Sequence, residues 1–150
     1  IWLKADSMMK GYFQDPESTK EVFEKGWYKT GDVARLDEDG YLFMVDRTKD
    51  MIVTGGENVY SKEVEDVIVA FPGVAAAAVI GIPHKEWGET VAAFVLRGKD
   101  ADLTEEKLRE FLGDKLAKYK IPRTIQFVET LPYTPSGKVM KYKLREEYAK

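Results

Sequence analysis

Two runs of alanine and β-branched residues constrain this chain more than any other feature: Val74-Ala75-Ala76-Ala77-Ala78-Val79-Ile80-Gly81-Ile82 and Thr90-Val91-Ala92-Ala93-Phe94-Val95-Leu96-Arg97. Neither alternates apolar with polar side chains, so each reads as a buried strand. A sheet built from them needs helices to cover it, and the flanking sequence carries that pattern. Ser61 stands where it can cap a helix in which Val64, Val67, Ile68 and Phe71 fall at the i, i+3, i+4, i+7 spacing of one buried stripe. Pro72-Gly73 stops that helix. Thr104 caps a second helix with Leu108, Phe111, Leu112 and Leu116 inward. Residues 125–128 read as a third strand and residues 139–148 as a final helix. Residues 83–89 form the loop between the first two strands, and nothing pairs its His84 with a nucleophile. The order after residue 50 is helix, strand, strand, helix, strand, helix: an α+β unit around a small sheet.

The first third is organised differently. Asp15-Pro16-Glu17-Ser18 reads as an N-cap followed by proline at the first helical position, opening a helix through Phe23 that Gly26 ends. Val33-Ala34-Arg35-Leu36, the turn Asp37-Glu38-Asp39-Gly40 and residues 41–45 read as a β-hairpin. Asp46-Arg47-Thr48-Lys49-Asp50 has neither helical nor strand periodicity and is the expected linker. After it come a short apolar run, Met51-Ile52-Val53, and a glycine-bearing turn, Thr54-Gly55-Gly56-Glu57-Asn58.

Composition removes several function classes. With 150 residues, 44% hydrophobic and 33% charged, the chain suits one domain, or one domain plus a fragment of another. No apolar run approaches the roughly 20 residues needed to span a bilayer. The start, Ile1-Trp2-Leu3-Lys4, has neither an initiator Met nor a signal-peptide layout, so the chain is expected to begin mid-protein. Without cysteine there is no disulfide, thiolate nucleophile or Cys-based metal site, and a single histidine argues against a zinc cluster or a Ser-His-Asp triad. No metal ligands are assigned. A net charge of -3 gives no case for nucleic acid. The basic tail Lys138, Lys141, Lys143 and Arg145 reads equally well as a solvated helix face.

Four short segments carry candidate chemistry. In Leu131-Pro132-Tyr133-Thr134-Pro135-Ser136-Gly137-Lys138, two prolines restrict the backbone and a glycine releases it, so Lys138 is held out rather than packed in. It is not a P-loop lysine: the first glycine of that motif falls on Pro132 and its hydroxyl on Val139. Trp27-Tyr28-Lys29-Thr30-Gly31-Asp32 ends in a carboxylate after a flexible glycine at a strand entrance, where it can accept two hydrogen bonds from a vicinal diol such as a ribose. Arg47 offers a planar fork for a phosphate or ribose oxygen, and at Lys49 a change in two dihedrals would swing everything that follows. Gly55-Gly56-Glu57-Asn58-Val59 allows close backbone approach to something narrow. Each segment alone also fits an ordinary turn or charged linker.

In this order and spacing, together with Gly11-Tyr12 and Asp39-Gly40-Tyr41, the segments resemble the C-terminal third of the adenylate-forming acyl-CoA synthetases, which also include luciferases and peptide-synthetase adenylation domains. The resemblance covers essentially the whole chain. It implies that residues 1–48 end a large N-terminal AMP-binding domain. Residues 49–150 would then be a mobile C-terminal domain, with flanking helices on a mixed three-stranded sheet.

The resemblance also implies roles. Asp32 matches the aspartate on the ATP ribose, with Arg47 beside it and Thr30 and Tyr28 in the same nucleotide-binding segment; Lys49 matches the hinge. Lys138 matches the lysine that contacts the α-phosphate and the carboxylate during adenylation, with magnesium sharing the charge. Gly55, Gly56, Glu57 and Asn58 match the loop that lines the pantetheine tunnel after rotation. Trp87, Tyr119 and Lys120 can stack on and pair with the CoA nucleotide. The implied reaction joins a carboxylic acid, ATP and CoA into acyl-CoA, AMP and pyrophosphate. A fatty acid is expected, by the wording of residues 54–64 and 83–89, with an aryl or short-chain acid as the alternative within the class. A non-catalytic interaction or regulatory module reusing the fold is the alternative outside it. The phosphate loop and acyl pocket of the N-terminal domain lie outside the chain, which alone is expected to be inactive. A cytoplasmic location follows, peripheral at a membrane if the acid is long. Lys138 is also open to a lysine acetyltransferase, which would erase its charge.

Overall fold

The computed structural model describes residues 1–99 and 102–148. By its contacts the chain divides into two units, Ile1–Lys49 and Asp50–Lys150, and each is described by itself.

In the first unit, β1 (Trp2–Leu3), β2 (Phe23–Glu24) and β3 (Trp27–Lys29) form a small antiparallel sheet with β3 in the centre. Helix α1 (Pro16–Val22) starts as its sequence dictates, with the Asp15 carboxylate accepting from the Ser18 amide at 3.0 Å. That hydrogen bond holds Asp15 below the usual aspartate range. The helix stops one residue short of the expected Phe23, and Gly26 is not its terminator. It ends at Val22, and Lys25 and Gly26, with φ of 49° and 82°, turn the β2–β3 hairpin. Two adjacent positive-φ residues match the twist of paired strands, so the glycine serves a hairpin rather than a helix end. β4 (Asp32–Leu36) and β5 (Leu42–Arg47) form the second hairpin. The expected linker is shorter than its polarity suggests. Asp46 and Arg47 pair with Val33 and Asp32 in this hairpin, leaving a single 3-10 turn, Thr48–Asp50.

The second unit holds the core. β8 (Val74–His84) and β9 (Gly88–Arg97) are the two apolar runs, paired antiparallel, and β10 (Thr124–Val128) lies parallel to β9. The sheet has five strands rather than three, because β6 (Ile52–Thr54) and β7 (Glu57–Val59) form a hairpin that joins β9 through Thr54 and Gly88. Gly55 and Gly56, at φ of 58° and 87°, make its turn. With only three residues on each side of that turn, alternation is too brief to announce strands.

Helices cover both faces of this sheet. Val79, Val91, Ala93 and Val95 pack with Val64 and Ile68 of α2 (Ser61–Val69) and with Leu108 and Leu112 of α3 (Glu105–Gly113). The alternate residues Ala78, Ile80, Ala92 and Phe94 meet Leu131 and, on α4 (Lys141–Tyr148), Leu144. This two-sided burial is why neither run alternates. Phe94, 1% exposed, also meets the Tyr148 ring at 4.5 Å.

Thr104 caps α3 as expected, accepting from the Lys107 amide at 3.3 Å. Ser61 does not cap α2: it is the first helical residue, after the extended Tyr60, and its hydroxyl accepts from Lys141 at 2.7 Å instead. The loop between β8 and β9 shrinks to residues 85–87, and His84 closes β8. Among the described residues, no helix is long and apolar enough to cross a membrane.

Candidate active-site surfaces

On the first unit, strand pairing brings Asp32 opposite Arg47. Arg47 Nε lies 3.2 Å from Asp32 Oδ1, and Arg47 Nη2 donates to the Thr30 carbonyl at 3.3 Å. The turn before Asp32 favours glycine because Gly31 has a φ of 75°, a conformation that other residues rarely adopt. Thr30 Oγ1 accepts from the Asp32 amide at 3.0 Å, which orients the strand entrance. The Asp32 side chain keeps 32% of its surface. A carboxylate with one oxygen on a guanidinium retains lone pairs for a diol. Tyr28 belongs to a neighbouring pair: its ring packs on Phe23 at 5.5 Å, and its hydrogen bond with Tyr12 raises the Tyr12 phenol above its ordinary pKa. Lys49 is exposed on the 3-10 turn.

On the second unit, a pocket of about 210 Å³ opens between the β6–β7 hairpin and the segment after α3. Thr54, Gly55, Glu57, Trp87, Thr90, Lys118, Tyr119, Ile121 and Arg123 line it. Sites that enclose a whole ligand measure roughly 300–1,000 Å³, so this one suits part of a longer molecule. Four of the sequence candidates, Gly55, Glu57, Trp87 and Tyr119, meet here. Gly56 and Asn58 are exposed on the hairpin beside it. Lys120 is turned to Glu63, donating to both carboxylate oxygens at 2.6 and 2.8 Å.

Both faces of Trp87 are occupied. His84 stacks on it with centroids 4.4 Å apart and planes 7° off parallel, and the Arg123 guanidinium lies 3.3 Å from the ring centroid. A base that stacks on Trp87 must displace one of them. Sequence reading missed Lys118, Arg123 and this role of His84. The two cations sit in a run with no motif of its own: Lys118 opens the 3-10 turn Lys118–Lys120, and Arg123, just before β10, is held beside β9 by its amide, which donates to the Val91 carbonyl at 2.9 Å.

Lys138 stands exposed on a loop closed by its own bonds. The Thr134 amide donates to the Lys138 carbonyl at 2.7 Å, the Gly137 amide to the Thr134 carbonyl at 2.9 Å, and the Met140 amide to the Pro132 carbonyl at 2.7 Å. Thr134 Oγ1 accepts from the Lys138 amide at 3.0 Å, and Gly137 takes a φ of 81° that the turn requires. The basic tail behind it is not a solvated face throughout. Lys141 and Arg145 enter ion pairs with Glu65 and Asp50, whose side chains are 14% and 13% exposed.

Comparison with known proteins places this geometry in a family. Residues 63–138 match the AMP-binding enzyme C-terminal domain, a stretch that ends on Lys138. The chain is 45% identical over 149 residues to the long-chain-fatty-acid–CoA ligase FadD13 of Mycobacterium tuberculosis, covering 99% of this chain and 29% of that protein. It is 44% identical over 148 residues to a feruloyl-CoA synthase of an Amycolatopsis species, covering 99% of this chain and 30% of that one. The crystal structure of ATP-bound MatB from Rhodopseudomonas palustris superposes with a TM-score of 0.86 at 46% identity, over 93% of this chain and 28% of that one. The chain thus spans less than a third of the length of these relatives. Over residues 63–138, from α2 to the lysine loop, the chain belongs to the AMP-binding enzyme C-terminal domain family, and over nearly its whole length it is similar to the C-terminal portion of acyl- and aryl-CoA ligases.

Proposed function

We propose that this chain is the C-terminal part of an acid–thiol ligase that uses ATP to convert a carboxylic acid to an acyl-adenylate and then passes the acyl group to CoA. The observation that carries the reading is the arm: an exposed Lys138, on a loop whose turns close on themselves, at the end of the family match. Carboxylate attack on the α-phosphorus brings two anions together, and a positioned cation lowers that barrier by neutralising charge as it moves. Lys138 serves as that cation, with magnesium arriving on ATP.

The other residues divide between binding tasks. Asp32 accepts hydrogen bonds from the ribose hydroxyls, oriented by Arg47 and Thr30, with Tyr28 in the same nucleotide-binding segment, and Lys49 is the hinge about which residues 50–150 change position between half-reactions. Gly55, Gly56, Glu57 and Asn58 border the pantetheine arm. Trp87 and Tyr119 receive the CoA nucleotide, and Lys118 and Arg123 receive its phosphates, joined by Lys120 when it gives up its bonds to Glu63.

A fatty acid is the first substrate reading, supported by the likeness to FadD13; an aryl acid is the second, supported by a feruloyl-CoA synthase of nearly equal identity. Pyrophosphate release by the full-length enzyme against a panel of fatty and aryl acids decides between them. In that enzyme, Lys138→Ala is expected to slow adenylation about 10²- to 10³-fold, by analogy with removal of one charge-stabilising group elsewhere. CoA transfer from a preformed adenylate should stay largely intact. Equal loss of both half-reactions contradicts the assignment. The 150-residue chain alone should form no adenylate with any acid of the panel, and measurable adenylate from it would refute that expectation.

A further inference from the structure

A loop closed on itself is only as well placed as its two ends. One end of the Lys138 loop is Leu131, 2% exposed in the core. The other runs into α4, whose first residue is Lys141. That is a poor electrostatic position for a lysine, because a helix N-terminus carries partial positive charge and Lys138 lies one turn before it. Yet Lys141 is drawn inward, its side chain only 14% exposed. Its Nζ lies 2.7 Å from Glu65 Oε1, and it donates to Ser61 Oγ at 2.7 Å. Glu65 Oε1 also accepts from the Val79 amide of β8, at 2.8 Å. One turn further along α4, Arg145 donates to Asp50 at 2.8 Å, with Leu144 buried between the two pairs.

Buried ion pairs add little net stability over apolar residues of the same shape, because desolvation offsets the attraction. They do penalise misplacement: if α4 rotated or slid, a desolvated ammonium and carboxylate would be left apart. We infer that Lys141, with Glu65 and Ser61, is a positioning residue for Lys138, setting α4 on α2 and β8 and so aiming the arm. The inference rests on the proposed role of Lys138 in adenylation.

The test uses the full-length enzyme. Lys141→Met alone leaves the Glu65 carboxylate without its ammonium, so the deciding variant is Glu65→Gln with Lys141→Met, which removes both charges of the pair and keeps an oxygen for the Val79 amide. It should melt close to the parent, slow adenylation about 10- to 100-fold, as misplacement by about 1 Å can, and leave CoA transfer from a preformed adenylate within about threefold. Lys141→Arg, which keeps the charge, should recover most of the adenylation rate. Amide hydrogen exchange at Gly137, Lys138 and Met140 should quicken in the double variant and not in Lys141→Arg. Parental adenylation by the double variant, where Lys138→Ala is crippled, overturns this inference and leaves the function standing. Parental adenylation by Lys138→Ala overturns the proposed function first. A double variant that fails to fold, or loses both half-reactions equally, marks the network as structural and also overturns the inference.

Discussion

The Lys120 ammonium donates to both carboxylate oxygens of Glu63, and this hydrogen bonding raises its pKa above the ordinary 10.5. A group whose folded pKa is raised contributes stability in full below its unfolded pKa, and that contribution is lost as pH rises through the folded value. The pair is partly solvated, with side chains 20% and 39% exposed, so it is worth only about 0.5 kcal/mol. Urea midpoints of the parent and Lys120→Met should therefore differ slightly at pH 8 and converge as pH climbs past the raised lysine value. A gap that persists undiminished in strong alkali would mean that the lysine stem, not its charge, is what matters. Residue types foretold this site only in part. Trp87 and Tyr119 were legible as stacking candidates because aromatics beside glycine and lysine are conspicuous. Arg123 was not, since its nearness to Trp87 comes from β10 lying beside β9.

Among the elements, the helices were the most legible. Val64 and Ile68, like Leu108 and Leu112, are buried where the 3.6-residue period puts them, because a helix on a sheet hides one stripe. The cap of α3 is equally local, so Thr104→Ala should lower unfolding free energy by about 1 kcal/mol, as lost N-caps typically do. Equilibrium denaturation measures this, and a change near zero would show that the Lys107 amide finds water at no cost. Ser61 behaves otherwise: its hydroxyl is already engaged by Lys141 from across the fold. The same letter in the same local pattern was spent on a tertiary bond. Short strands were the least legible elements. β6 and β7 have three residues each, too few for alternation to stand out, and Gly26 looks the same whether it ends a helix or turns a hairpin.

At the scale of the whole molecule, the burial is lopsided. Every buried hydrophobic side chain among the described residues belongs to Asp50–Lys150. The first unit leaves Trp2, Phe13, Leu36, Leu42, Phe43 and Met44 exposed, Phe13 to 89%. Small sheets without a covered apolar face are marginal in water. Residues 50–150 made alone should unfold in one cooperative urea transition, while a peptide of residues 1–49 should show no cooperative transition. Circular dichroism across a urea series distinguishes the two, and a non-cooperative 50–150 fragment would contradict the core described above.

By itself, the sequence determined the two buried strands, the helix stripes, the Asp15 and Thr104 caps and the proline-held Lys138. Each of these depends on residues near one another in the chain, whose periodicity, capping and backbone restriction act locally. Only the tertiary structure decided that Arg123 faces Trp87, that Ser61 serves Lys141 rather than capping its own helix, and that the basic tail is half buried. Those outcomes depend on which surfaces the sheet brings together, and a buried charge takes whatever partner the fold sets within reach.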